Sequence, residues 1–336
     1  MVIPVKTKNG GYNIYFERGA LERAGELLQL DRKVLVVTDS GVPAQYAEKV
    51  AARAKEGHIV TIEQGEKSKG IKTFELLLSK LVEYGFTRTD CVVAVGGGVV
   101  GDLSGFAAAC FMRGIDFYNI PTTVLSQVDS SIGGKTAIDF MQYKNIVGAF
   151  WPPAAVIIDP ETLATLPPRQ ISNGLAESVK MALTFDSGLF ELLEREEIPD
   201  HIDEIIYRSI LLKKAVVEED ETEKGLRKVL NFGHTIAHAI ESEKAMEDYY
   251  HGECVAVGMI PMCSDKVKAR LVPVLNKLSL PTSVPCDIDI ITEAVRHDKK
   301  ASGESITFIW VEEPGTFEMK KSSFDEFDNL VKEKLA

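Results

Sequence analysis

Long apolar runs are missing: no stretch of the 336 residues reaches the roughly 18 to 20 needed to span a bilayer, which argues against a helical membrane protein. The N-terminus "MVIPVKTKNG" lacks a basic segment followed by an apolar core, so no secretion signal is expected. Cysteine is scarce. Cys91, Cys110, Cys254, Cys263 and Cys286 form no CxxC pair and no regular framework, which points to free thiols in a reducing cytoplasm. Positive charge is in deficit, with 38 Lys and Arg against 50 Asp and Glu, a net charge of −12 that argues against nucleic acid or an anionic membrane as partner. A small anionic substrate stays open if Lys and Arg gather locally. Low-complexity tracts and internal repeats are absent too. What remains is a soluble globular composition, 45% hydrophobic and 26% charged, in a chain long enough for two domains.

Residues 1–160 read as alternating strands and helices. "KVLVVTDS" (33–40), "GHIVTIE" (57–63), "DCVVAVGGG" (90–98), "DFYNIPTT" (116–123) and "AAVIIDP" (154–160) are short strand-like runs, and "FELLLSKLVEYGF" (74–86) has helical spacing. Strands separated by helices predict a doubly wound parallel sheet, an α/β, Rossmann-like domain. Residues 161–336 read as mainly α-helical: "NGLAESVKMAL", "DEIIYRSILLKKAVVEED", "LNFGHTIAHAIESEK" and "ECVAVGMIPMCSDKVKARL" carry apolar residues three and four apart. "ITFIWVEEPGTFEMKK" (306–321) reads as a hairpin, "SFDEFDNLVKEKLA" as a closing amphipathic helix, and "DPETLATLPPRQ" (159–170) as the connection between domains. The charged "EEDETEKGLRK" (218–228) reads as a solvated loop, and His58, His201 and His297 as surface residues.

"VAVGGGVVGD" sets Gly96, Gly98 and Gly101 in a GxGxxG arrangement after a strand and before a helix. Glycines there let backbone amides approach a pyrophosphate at a helix N-terminus. Spacing alone reads equally as a tight turn packed on the sheet, since the acid expected about 20 residues on has only Asp116 as candidate. "SSIGGKTAID" is not a P-loop, because Asp129 stands where the pattern needs glycine; Lys135 can still meet an anion as a point charge.

Half of the six histidines fall within eighteen residues: His234 and His238 in "NFGHTIAHAIE", then His251 in "HGECVAVGM". A helical HxxxH places two imidazoles on one face, which serves a metal, a proton relay or packing alike. The few charges around it point the imidazoles inward. In "GLAESVK", Glu177 and Lys180 share a helical face, and spacing alone favours an exposed ion pair; a buried Glu with two His would make a three-ligand, zinc-type site.

Together "GGGVVGD", "CFMRG", "IPTTVLSQVDSSIGGKTAID", "KNIVGAFWPP", "TLPPRQ", "GLAESVK", "LNFGHTIAHAIE", "HGECVAVGM" and "HDKK" resemble, in order and spacing from about residue 30 to 303, the 3-dehydroquinate synthase family of sugar-phosphate cyclases. The resemblance implies an N-terminal Rossmann-like domain, a C-terminal α-helical domain and an active site in the cleft between them. It implies conversion of 3-deoxy-D-arabino-heptulosonate 7-phosphate to 3-dehydroquinate and phosphate, a step toward chorismate and the aromatic amino acids. NAD oxidises the substrate, phosphate is eliminated, the hydride returns, and an aldol closure forms the ring, so NAD is recycled. One divalent metal, zinc or cobalt, is implied, with ligands Glu177, His234 and His251; His238 faces substrate and assists proton transfer. Substrate contacts map to Arg113, Asp129, Lys135, Lys144, Asn145, Lys180, Lys213, Arg227, Asn231 and Lys299 or Lys300. NAD contacts map to Asp39, Glu66, Lys69, Gly97, Gly98, Val99, Asp102, Thr122, Thr123 and Thr165, with Lys135 and Lys144 counted among the cofactor-side cations. A cytoplasmic homodimer is implied as well.

Three positions and one stretch depart from the family pattern: Gln170 stands for Glu, Tyr143 and Ala237 for glycine, and "VKMAL" lacks the usual glycine-containing sequence. Gln170 bears on an NAD-side contact and Tyr143 on the loop presenting Lys144 and Asn145. Two rivals are another cyclase, of the 2-deoxy-scyllo-inosose or valiolone type, and a metal-dependent polyol dehydrogenase. The first reads the substrate with other groups, and the second has little use for so many anion-binding cations. A non-catalytic scaffold would have lost a ligand or a mapped cation, and none is missing.

Overall fold

The computed structural model describes residues 1–8, 10–141, 143–243, 249–285, 288–299 and 305–335, with 297–299 described by backbone alone. The chain divides into two compact units, Met1–Pro167 with Lys213–Thr222, and Pro168–Leu212 with Glu223–Ala336. The break at Pro167 falls inside "DPETLATLPPRQ".

The first unit is built on a seven-stranded sheet. In chain order its elements are β1 (Val2–Thr7), β2 (Gly10–Phe16), α1 (Ala24–Leu27), β3 (Lys33–Asp39), α2 (Ala44–Ala51), β4 (Glu56–Ile62), α3 (Ile71–Glu83), β5 (Cys91–Gly96), α4 (Gly98–Cys110), β6 (Asp116–Pro121), the hairpin β7 (Lys135–Phe140) and β8 (Tyr143–Phe150), and β9 (Ala155–Ile158). The sheet order is β1-β2-β9-β6-β5-β3-β4, parallel except for the β1–β2 pair. β3, β5 and β9 are nearly continuous in apolar residues and buried on both faces, as a covered parallel sheet requires. Leu35 and Val37 of β3 join Val92 and Ala94 of β5 under α3 and α4, whereas Val34 and Val36 join Val93 and Val95 under α2. β1 alternates exposed and buried instead, and it tolerates Pro4 because it is an edge strand.

Two hairpins, β1–β2 and β7–β8, lie outside the strands predicted above. Residues 135–140 alternate in burial only partly, and their Gly-Lys approach reads more loudly as an anion-binding turn than as a strand entry. The charged stretch 218–228 is less of a loop than predicted. Its first residues end a helix, and the carboxylates of Glu218 and Glu221 accept the backbone amides of Lys6 and Lys8. His58 is half-buried and stacks on Tyr84 at 4.0 Å between ring centroids.

The second unit is mainly helical: α5 (Pro168–Phe185), α6 (Ser187–Arg195), α7 (Ile198–Glu219), α8 (His234–Ser242), α9 (His251–Met259), α10 (Asp265–Lys277), α11 (Ile288–Lys299) and α12 (Phe324–Leu335), with the hairpin β10 (Ser305–Trp310) and β11 (Glu318–Ser323) predicted at its end. The last part of α7, from Lys213, groups with the first unit. Side-chain caps start several of these helices: Asp186 on the amide of Leu189, Ser264 on that of Val267 and Ser323 on that of Glu326. α5 is the buried axis of this unit: every residue from Asn173 to Thr184 is buried. α9 approaches its neighbours through glycine. A Cβ on Gly252 would lie 1.9 Å from the Asn173 carbonyl oxygen, and one on Gly258 would lie 2.2 Å from that of Gly233.

Candidate functional site

In the first unit, β4-β3-β5-β6-β9 is the doubly wound order in which strand direction of growth reverses between β3 and β5, and such sheets bind ligands outside the carboxyl ends of the strands at that reversal. Two features sit there. Asp39 ends β3, buried, with its carboxylate accepting the amide of Gly41 at 2.8 Å; burial pushes its carboxyl above the usual range. β5 ends at Gly96, Gly97 caps α4, and Gly98 begins it, so the first amides of a 13-residue helix face that end of the sheet. Close packing explains the glycines. A Cβ on Gly97 would come within 3.2 Å of Thr123, one on Gly98 within 3.2 Å of Ser130 Oγ, and one on Gly101 within 3.0 Å of Asn119. Thr122 donates its amide to Gly96, and Thr123 and Ser126 exchange a hydroxyl hydrogen bond at 2.9 Å, fixing the facing loop. Asp116 does not belong here. It starts β6 opposite Cys91, at the other end of the sheet, and pairs with Arg32 at 2.7 Å.

Charged side chains collect beside this turn. Lys69 is buried, with its ammonium 2.6 Å from Asp102, 2.5 Å from Asn145 and 3.8 Å from Glu66. Burial alone would lower its pKa, but Asp102 and Glu66 outweigh that and hold it above the ordinary lysine value. Asn145 takes a left-handed conformation (φ 55°), which asparagine tolerates, and its amide donates to Asp139 at 2.8 Å. Val99 and Asp102 lie in the first turns of α4, Lys144 is exposed on β8, and Thr165 meets Tyr46. Asp129 lies in a π-helical turn (Ser126–Ser130) and accepts Lys213 at 2.5 Å. Lys135 opens β7 and is exposed. Arg113 is exposed just past the far end of α4, next to Met112, both with positive φ.

The second unit brings Glu177, His234 and His251 together, with one ligand atom from each within 4.8 Å of the others. Glu177 and Lys180 are buried side by side on α5, not exposed as spacing alone predicted, and the ammonium contacts Glu177 Oε2. The other oxygen, Oε1, accepts no hydrogen bond from the described residues and faces His251 Nε2 at 3.5 Å and His234 Nε2 at 3.6 Å. Burial would raise the Glu177 carboxyl, but Lys180 and the two imidazoles hold it well below the usual range. Burial and the Lys180 charge hold His234 well below the ordinary histidine value. Burial works against protonation of His251, yet Glu177 and Glu241 raise it to about 10. Both rings have their other nitrogen engaged: His234 Nδ1 lies 3.1 Å from the Phe232 carbonyl oxygen, and His251 Nδ1 lies 2.8 Å from Glu241. An oxygen without a donor, two nitrogens turned toward it and two outer acceptors make a donor set that fits a borderline divalent cation such as zinc.

His238 is not one of that trio: its ring meets that of His234 edge-on with 5.6 Å between centroids, lies 6.4 Å from that of His251, and the residue is exposed where an inward imidazole was predicted. Arg227 is buried, and Asn231 donates to Glu223 at 2.7 Å. Gln170 accepts from Asn173 at 3.1 Å within α5, and Asn173 in turn accepts the Gly252 amide at 2.6 Å. The side chain of Lys299, and Lys300 altogether, lie outside the described residues. The sequence reasoning missed Glu241 and Arg169. Glu241 was visible in principle, at i, i+4, i+7 with His234 and His238 on one stripe of α8. Arg169, bidentate on Glu253 at 2.7 and 2.8 Å, depends on a contact 84 residues away that no local pattern carries.

The comparisons with known proteins agree over most of the chain. The family models described as 3-dehydroquinate synthase N-terminal and C-terminal match residues 59–173 and 174–301. The 3-dehydroquinate synthase of Sulfurimonas denitrificans is 44% identical over 296 residues, covering 84% of this chain and 85% of that protein. Among solved structures, 2-deoxy-scyllo-inosose synthase complexed with carbaglucose-6-phosphate, NAD+ and Co2+ has a TM-score of 0.89 at 28% identity, covering 100% of both chains. The 2-epi-5-epi-valiolone synthase from Streptomyces hygroscopicus subsp. jinggangensis, with NAD+ and Zn2+ bound, has a TM-score of 0.87 at 26% identity, covering 98% of this chain and 97% of that one.

Proposed function

The chain belongs to the 3-dehydroquinate synthase family, and from that premise we propose how its residues divide the reaction. The activity is the family's, conversion of 3-deoxy-D-arabino-heptulosonate 7-phosphate to 3-dehydroquinate and phosphate, with NAD and one divalent cation as cofactors. The observation that carries the assignment of roles is the buried Glu177 oxygen facing two imidazole nitrogens beside Lys180. Glu177, His234 and His251 would hold the cation. The glycine turn (Gly97, Gly98, Val99) would seat the pyrophosphate of NAD, with Asp39, Thr122, Thr123 and the Glu66–Lys69–Asp102 group around it; Thr165 belongs to the same reading. When bound, NAD supplies a reversible hydride acceptor and the cation polarises a substrate hydroxyl.

The other residues bind, orient and move protons. A substrate with a carboxylate and a phosphate needs fixed cations, and Arg113, Lys135, Lys144, Lys180, Lys213, Arg227 and Lys299 are assigned to it in a chain of net charge −12. Asp129 and Glu223 hold Lys213 and Asn231 in place, and the exposed His238 is assigned to proton transfer. Asn145 and Asn231 supply uncharged donors for substrate hydroxyls. The same reading makes the protein a cytoplasmic homodimer without nucleic-acid or membrane partners. Support comes from the net charge, from Cys91, Cys110, Cys254 and Cys263 being free thiols, and from the lack, among the described residues, of a helix long and apolar enough to cross a membrane.

A phosphate-release assay on the heptulosonate phosphate tests this. Turnover should require both NAD and metal, and phosphate should appear without net NADH; accumulating NADH would mark a dehydrogenase instead. Glu177→Ala should lose both metal retention and turnover, by about three powers of ten or more in kcat if the cation carries its usual share. Retention of either would show the ligand set to be wrong.

A further inference from the structure

Glu241 is assigned no part in the reading above, yet it is placed where it controls one of the three metal ligands. Its side chain is 7% exposed, and Oε1 lies 2.8 Å from His251 Nδ1. The residue sits two turns after His234 on α8, on the stripe shared by His234 and His238, and α8 packs directly on α9, which His251 begins. The imidazole therefore has a carboxylate behind it and the Glu177 oxygen, 3.5 Å from Nε2, in front. A carboxylate has no proton to give, so the hydrogen bond requires a proton on Nδ1, which leaves Nε2, on the side of Glu177, as the nitrogen that binds a cation once its own proton is displaced.

The two histidines differ in this respect. His234 rests on a neutral acceptor, the Phe232 carbonyl at 3.1 Å, whereas His251 rests on a formal negative charge. A charged acceptor makes the stronger hydrogen bond and increases the electron density on the opposite ring nitrogen. His251 is also the ligand in greater need of orientation. It stands at the first position of α9, and its side chain is 33% exposed against 12% for His234.

We propose that Glu241 is a positioning residue of the metal centre: its carboxylate fixes the tautomer and the aim of His251 and makes that imidazole the stronger donor of the pair. The inference rests on the assignment of Glu177, His234 and His251 as metal ligands. A purely structural tie between α8 and α9 is the competing role, and it makes different predictions once the protein is loaded with metal.

The test uses the full chain and two variants, Glu241→Gln and Glu241→Asp. Glutamine keeps the size and an acceptor oxygen but removes the charge; aspartate keeps the charge and shortens the reach. Affinity for Zn2+ is read by competition with a chromophoric chelator, and the Co2+ form by its d–d absorption. Glu241→Gln should weaken Zn2+ binding by about 10- to 100-fold and shift the Co2+ bands in a metal-free protein that still unfolds cooperatively. Glu241→Asp should recover part of the affinity. Unchanged affinity and spectrum in Glu241→Gln, in a chain where Glu177→Ala abolishes binding, would overturn the positioning role and leave the ligand set standing. Binding that survives Glu177→Ala would instead remove the ligand set itself. The unsubstituted protein gives a check that no folding defect can obscure: in the Zn2+ form, long-range nitrogen–proton correlation should show the His251 ring protonated at Nδ1, and a proton on Nε2 would refute the proposal.

Discussion

Lys180 and Glu177 show what burial costs single residues and what the cost is for. Each is about 1% exposed, and removing either partner of such a pair leaves an uncompensated buried charge worth about 3–5 kcal/mol. One ammonium against one carboxylate oxygen leaves the other oxygen turned toward the two imidazoles, so the charge pair and the ligand set share an atom group. His251, raised to about 10 by Glu177 and Glu241 against its own burial, carries a proton at neutral pH in the metal-free protein. A cation must displace that proton. The sign follows directly: as pH falls below 10 the proton competes better, and affinity drops by about tenfold per pH unit from this group alone. Titration calorimetry of Zn2+ binding at pH 7 in buffers of different ionisation enthalpy should therefore report about one proton released per ion, and a heat independent of the buffer would contradict it.

At the scale of the element, α9 delivers His251 only because its first turn lies flat against α5. Gly252 makes that approach possible, its amide donates to Asn173 at 2.6 Å, and Arg169 clamps Glu253, whose carboxylate also accepts the Tyr250 amide at 2.8 Å. A methyl group at position 252 would meet a carbonyl oxygen at 1.9 Å, and backbone does not rotate out of the way as a side chain can. Gly252→Ala should accordingly displace the helix start, cost about 1–3 kcal/mol in urea unfolding, and weaken Zn2+ binding. Wild-type affinity in that variant would mean that His251 is aimed by Glu241 alone. Helix was legible in the apolar spacing of "ECVAVGMIPMCSDKVKARL", which the structure divides into α9 and α10, starting α9 at His251, where the sequence reads as a loop. The need for glycine was not, because it is set by a residue of another helix. The β7–β8 hairpin was missed for a related reason: its strands sit outside the main sheet and bury few residues, so the two-residue period is weak.

Across the whole molecule, the strand order places the glycine turn and Asp39 together at the reversal between β3 and β5, a convergence built from residues far apart in the chain. The first unit also leaves Phe140, Met141, Tyr143, Ile146, Val147 and Phe150 exposed along β7–β8. Clustered apolar side chains on a monomer's surface mark an interaction face, and the proposed homodimer gives this one an occupant. Sedimentation velocity should find a particle of twice 37.0 kDa, and Ile146→Lys should shift it toward the single-chain mass. A parent protein that sediments as one chain would remove the dimer from the reading.

The sequence by itself determined the central parallel strands and most of the helices, the family and the residue types at the site, because these depend on local periodicity and on motifs whose chemistry is written in consecutive letters. The tertiary structure alone decided that Glu177 and Lys180 are buried instead of paired on the surface, that His234 and His251 turn their Nε2 atoms to one carboxylate oxygen while His238 faces solvent, and that Glu241 stands behind His251. Burial and aim are properties of packing between helices, and spacing along one helix fixes which side chains share a face but not what that face meets.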